Sequence, residues 1–164
     1  MPDTETMSDQ IRFRFSVAGF DVAEFVEART IVECAIMPIA VRRMTPSLLT
    51  QLENALHQIE MNADDPVQAD RHDRDFHLLI LKACGNRVLE VYSGVLLTYF
   101  EITSKVLASL DQGYFHEIAR QQRVILNAIK ADDPELAAQL LTRLLTEKAV
   151  LADRGSQTMP CAMD

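Results

Sequence analysis

The chain has 164 residues, 48% hydrophobic and 24% charged, which suits one domain with its own core. Its 16 Lys and Arg against 24 Asp and Glu leave a net charge of −8, a poor balance for gripping phosphates, so no direct nucleic-acid binding by this chain is expected. The acidic start MPDTETMSDQ does not read as a signal peptide, no apolar run approaches the ~20 residues that span a bilayer, and Cys34, Cys84 and Cys161 show no paired spacing. These features point to a cytoplasmic protein with no membrane partner.

Residues 1–20 read as an N-terminal arm or linker remnant, in which IRFRF (Ile11 to Phe15) alternates apolar and basic residues as a short strand would. Asp21 and Glu24 then form a capping box that opens a helix to about Arg43. Thr45-Pro46 places an N-cap before a proline at the first helical position and starts a helix to about Met61. After the NADDP loop, Pro66 opens a helix ending at Cys84, with Gly85 just beyond. Asn86 caps a long fourth helix to about Leu110, DQG breaks it, and a fifth follows from Tyr114 to Ala131. Asp133-Pro134-Glu135 starts the sixth, leaving residues 153–164 as a flexible tail. With short connections throughout, residues 21–152 are expected to fold as an all-α antiparallel bundle. The fourth helix is apolar nearly all round, so it is either central or packed against a second copy, and a homodimer is expected.

Polar residues interrupt the apolar stripes of three helices. Asp73 lies one turn below His77 in the stripe Ala69, Asp73, His77, Ile80; Gln122 sits among Ile118, Ile125 and Ile129; Arg29 and Glu33 are an i,i+4 pair between apolar neighbours. Buried charges and amides are costly unless paired, so several on inward faces suggest one shared polar pocket. Each also has a plainer reading, as a structural Asp–His pair, a solvated Arg–Glu pair or a surface glutamine beside Gln121 and Arg123. Glu53 and His57 form a second carboxylate–histidine pair and, with Asp73 and His77, would give a small metal-binding helical-bundle enzyme four ligands. Against that, the Glu-x-x-His spacing of di-iron bundles is absent, as are HExxH, GxSxG and glycine-rich phosphate loops.

The ordered segments EFVEARTIVECAIMPIAVRRMTPSLLTQLENAL, DRDFHLLILKACGN and NAIKADDPELAAQLLTRLL resemble the FadR-type C-terminal (FCD) domain of GntR-family bacterial transcription regulators. Asp73, Phe76, His77, Gly85, Asn86, Ala128, Ile129, Asp133, Pro134 and Ala137 carry the resemblance, over about residues 20 to 150. It implies a dimerising antiparallel bundle of six to seven helices that binds a small effector in its interior, often an organic acid held through a divalent metal of the zinc or nickel type. The metal ligands it implies are Asp73, His77 and one histidine from each of the last two helices.

Those two histidine positions fall on Gln122 and Leu144. Glutamine is a poor ligand for such ions and leucine is none, which leaves Asp73 and His77 as an incomplete metal site unless Glu147, one turn past Leu144, completes it. His116 is rotated to another face. No cofactor is therefore expected; Asp73, His77 and Gln122 form a hydrogen-bonding wall, and Arg29 anchors an anionic effector. Only about 20 residues precede the first expected helix, too few for the winged helix-turn-helix such regulators carry. The expectation is an effector-binding and dimerisation domain without its DNA-binding module, either part of a longer regulator or free-standing.

Overall fold

A computed structural model describes residues 4–156, and every regular element among them is helical. They are α1 (Thr4–Ala18), α2 (Val22–Arg43), α3 (Pro46–Met61), α4 (Pro66–Ala83), the single turn α5 (Arg87–Glu90), α6 (Ser93–Thr103) with a 3-10 extension (Ser104–Ser109), α7 (Tyr114–Lys130) and α8 (Pro134–Ser156). Four starts follow from their capping chemistry. Asp21 accepts from the Ala23 amide while Glu24 accepts from the Asp21 amide at 2.9 Å, closing the capping box of α2. Thr45, Asp65 and Asn86 accept from the first-turn amides of α3, α4 and α5. After α4 the chain reverses at Gly85, whose φ of 56° lies where a side chain would be strained.

Helices α2, α3, α4, α7 and α8 enclose the main core, with Met37, Leu52, Leu56, Ile59, Phe76, Ile80, Leu126 and Leu141 buried in it. Each contributes a stripe at three- and four-residue spacing, such as Ala137, Leu141, Leu144 and Leu145 on α8. Pro38 lies inside α2 and has no N–H for the carbonyl one turn earlier, so the hydrogen-bond ladder is interrupted there. Before it, Phe25 joins Val95, Tyr99 and Phe100 in a second cluster; after it, Ala40 and Val41 belong to the main core.

Three local expectations are corrected. IRFRF lies in helix α1, because the spacing of Ser8, Ile11 and Arg12 puts them on one helical face against α6: Ser8 Oγ is 2.8 Å from Ser93 Oγ, and Arg12 reaches Glu101 at 3.2 Å. That long-range docking outweighs a five-residue alternation. The fourth helix is not continuous. The chain turns at Val91 and Tyr92, and beyond Thr103 it tightens to 3-10. At that second change the Thr103 hydroxyl donates to the carbonyls of Tyr99 and Phe100, and that of Ser104 to Glu101, competing with the α-helical ladder. Finally, α8 runs to Ser156, past the expected boundary, and the rest of the expected tail lies outside the described residues.

The apolar girth of α6 is covered within the chain, by α1 on one side and by α2 and α4 on the other. Gly94 permits the α1 contact, since a Cβ there would run into the carbonyl oxygen of Ser8. Gly94→Ala should therefore cost about 1–3 kcal/mol, as overpacking does. A lowered urea midpoint, with faster tryptic cleavage after Arg12 and Arg14 as α1 lifts away, is the expected outcome.

Candidate functional site

Four core helices carry polar side chains that meet at one place. α2 supplies Arg29 and Glu33, α4 Asp73 and His77, α7 Gln122 and α8 Lys148, and all six are buried. Arg29 Nε donates to Glu33 Oε1 at 2.5 Å, and the other carboxylate oxygen of Glu33 is 2.5 Å from His77 Nδ1. The same ring turns Nε2 toward Asp73 Oδ1, 3.4 Å away, so His77 lies between two carboxylates. Gln122 Nε2 donates to Asp73 Oδ1 at 2.5 Å, and Lys148 Nζ donates to Asp73 Oδ2 at 2.6 Å. The guanidinium of Arg29 also lies over the rings of Tyr99 and Phe100, 4.5 Å and 4.7 Å from their centroids.

The charges are set by one another. Burial alone would raise the Glu33 carboxyl, but Arg29 and His77 more than offset it and hold its pKa at about 2. Burial pushes Asp73 up as well, yet Lys148 and His77 keep it far below the usual carboxylate range. For Lys148, burial pulls the ammonium pKa down while Asp73 opposes the shift. For Asp70, one turn before Asp73, burial first and then the charge of Asp73 raise it to about 7, outweighing the opposing charges of Lys148, Arg29 and Arg74.

Of the residues expected at the site, Arg29, Asp73, His77 and Gln122 come together; the others do not. Glu147 lies on the outside, bonded to Arg143 and Gln121, and does not reach Asp73. His116 is exposed and pairs with Asp64, Glu53 pairs with Lys130, and His57 faces solvent, so the second carboxylate–histidine pair never meets the first. Lys148 is the residue sequence reasoning misses. A signal for it exists: it continues the α8 stripe Leu141, Leu144, Lys148 as Asp73 continues that of α4. Tyr99 and Phe100, which flank Arg29, read in the sequence only as apolar.

The donor set does not fit a divalent metal. Both oxygens of Asp73 are taken by N–H donors, position 144 is a core leucine, and Gln122 turns its amide nitrogen to the carboxylate. The reverse amide orientation would set two oxygens against each other, so the assignment is chemically fixed. His77 is held between the carboxylates of Glu33 and Asp73, and no group of three or more metal-ligating side chains occurs among the described residues. The cluster is nonetheless unsatisfied. Arg29 Nη2, His77 Nε2 and Gln122 Oε1 are buried with no hydrogen-bond partner, as is the hydroxyl of Tyr92 nearby.

The FCD domain model matches residues 24–147. The chain is 26% identical over 121 residues to the HTH-type transcriptional repressor NanR of Edwardsiella tarda, covering 73% of this chain and 46% of that protein. It is 25% identical over 118 residues to the galactonate operon transcriptional repressor of Escherichia coli K12, covering 72% and 52%. The chain thus spans about half the length of the curated relatives it matches. Its fold superposes on E. coli McbR/YncC with a TM-score of 0.72 at 19% identity, over 80% of this chain and 67% of that one. For Streptococcus agalactiae GntR the TM-score is 0.63 at 20% identity, over 92% and 61%.

Two outcomes follow from the buried charges. Removing the Glu33 carboxylate by Glu33→Ala strands Arg29 in the core and should cost about 3–5 kcal/mol in urea unfolding. The pH profile carries both signs. Glu33, held at about 2, contributes stability that is present above its ordinary 4.5 and lost as pH falls toward 2. Asp70 favours the fold while protonated, a contribution complete below 3.8 and lost as pH rises through about 7. Asp70→Asn should therefore gain on the wild type as urea midpoints are compared from about pH 5 to pH 8.

Proposed function

The chain belongs to the FCD domain family of GntR-type transcription regulators, and on that premise we propose that the Arg29–Asp73–His77–Gln122 cluster is the site where it senses a small organic acid. The family and its relatives are regulators, not enzymes, so the reading of Asp73 and His77 as a metalloenzyme centre gives way. The observation that carries the proposal is the set of unpartnered atoms. Arg29 Nη2 is a buried charged donor that calls for an anionic acceptor, while Gln122 Oε1 is an acceptor that calls for a hydroxyl. A hydroxycarboxylate supplies both, in keeping with a relative named for a galactonate operon.

The mechanism proposed is allosteric. Four core helices converge on the cluster, so an acid bound there biases their relative arrangement by its differential affinity for two states. In a homodimer, that bias resets the spacing of DNA-binding modules. With a net charge of −8, the chain is a poor phosphate-binding surface, so the reading assigns DNA contact to residues outside the bundle.

Thermal unfolding with a panel of aldonic and other hydroxy acids, each beside its uncharged lactone or alcohol, tests the reading. An acid near 100 times its Kd should add about 2.7 kcal/mol of stability and the uncharged partner none. The double variant Arg29→Met/Glu33→Gln, which removes both members of the ion pair, should abolish the response. A wild type that no acid stabilises, or a double variant that still responds, would overturn the site. Light scattering should report twice the 18.5 kDa chain mass.

A further inference from the structure

We infer that the Lys148 ammonium occupies, on Asp73, the role of a divalent cation, so that this chain builds its effector site on fixed protein charges and needs no metal. The inference rests on the reading of the cluster as an effector site, and it deepens that reading by naming the cation an acid would meet beside Arg29.

Three observations converge on it. Lys148 Nζ sits 2.6 Å from Asp73 Oδ2, on the far side of the carboxylate from the bond Gln122 Nε2 makes to Oδ1. Lys148 is one helical turn beyond Leu144 on the buried face of α8, so the face that lacks a metal-binding imidazole at 144 delivers a positive charge at 148. Lys148 is 5% exposed and Asp73 2% exposed, and removing either would leave the other as an unpaired buried charge. An ammonium has three N–H donors and Asp73 accepts from one of them, which leaves donors for a second carboxylate in the same place. The amide of Gln122 fits the same scheme. Beside a metal it would be a weak ligand; beside Asp73 it is a hydrogen-bond donor to a carboxylate already neutralised by lysine.

The test uses the full chain. Wild-type protein incubated with zinc or nickel ions and then desalted should retain far less than one equivalent by elemental analysis. Its unfolding midpoint should not move when either metal is added. Lys148→Ala frees Asp73 Oδ2 for another cation, so millimolar nickel should restore part of the stability that variant loses. Lys148→Arg, which keeps the charge, should stay as indifferent to nickel as the wild type. One equivalent of metal held by the wild type would overturn the inference, whether or not Lys148→Ala can be obtained folded, and so would a folded Lys148→Ala that nickel leaves unchanged. The two readings fail separately. A wild type that binds metal tightly and is stabilised by acids overturns the role of Lys148 alone; one indifferent to metal and to every acid upholds that role and overturns the effector site.

Discussion

The carboxylate of Asp73 is the point at which the bundle is pinned. It accepts from α7 through Gln122 and from α8 through Lys148, and it faces His77 on its own helix, which leads through Glu33 to Arg29 on α2. In a low-dielectric interior each of these groups is tolerated only because the next one compensates it. Aliphatic side chains such as Leu52, Leu56 and Ile80 would hold the helices together in many rotations. The polar chain accepts few, because a shift of about 1 Å in any helix lengthens a bond that nothing else replaces.

Energetically, the cluster is a place where the core gives up hydrophobic stabilisation. A buried ion pair seldom outperforms well-packed apolar residues of the same volume. Three orphaned atoms add roughly 1–3 kcal/mol each to that cost. A domain of this size is expected to have only about 5–15 kcal/mol of net stability. Holding so many polar groups at one level of the bundle is therefore hard to explain by stability, and easier to explain by recognition of something that completes them.

Much of this is legible in the sequence, for reasons that can be named. The starts of α2, α3 and α4 are written in short-range chemistry, and their caps form within three residues of the chain. Asp73, His77, Gln122, Arg29 and Glu33 stand out because they sit in register with apolar neighbours, and all are buried. What stays hidden depends on contacts distant in sequence. The fate of IRFRF is decided by α6, which lies some eighty residues on, through Ser8 and Ser93. The first break in the fourth helix, at Val91 and Tyr92, lies just before Gly94, where Ser8 of the distant α1 packs closely. Lys148 escapes notice because a lysine near a helix end is ordinarily solvated, and only the tertiary position of Asp73 makes it inward.

Pro38 gives the architecture a mechanical property. Well before it, Phe25 rests against α6 and Arg29 and Glu33 enter the buried cluster; on either side of it, Ile36, Met37, Ala40 and Val41 are held in the main core. Bending a helix at a proline breaks no hydrogen bond that the helix had kept, so compliance is concentrated at that residue. A bend there would carry Arg29 and Glu33 together, and would move Val22, at the start of α2, farther than either because it lies farther from Pro38.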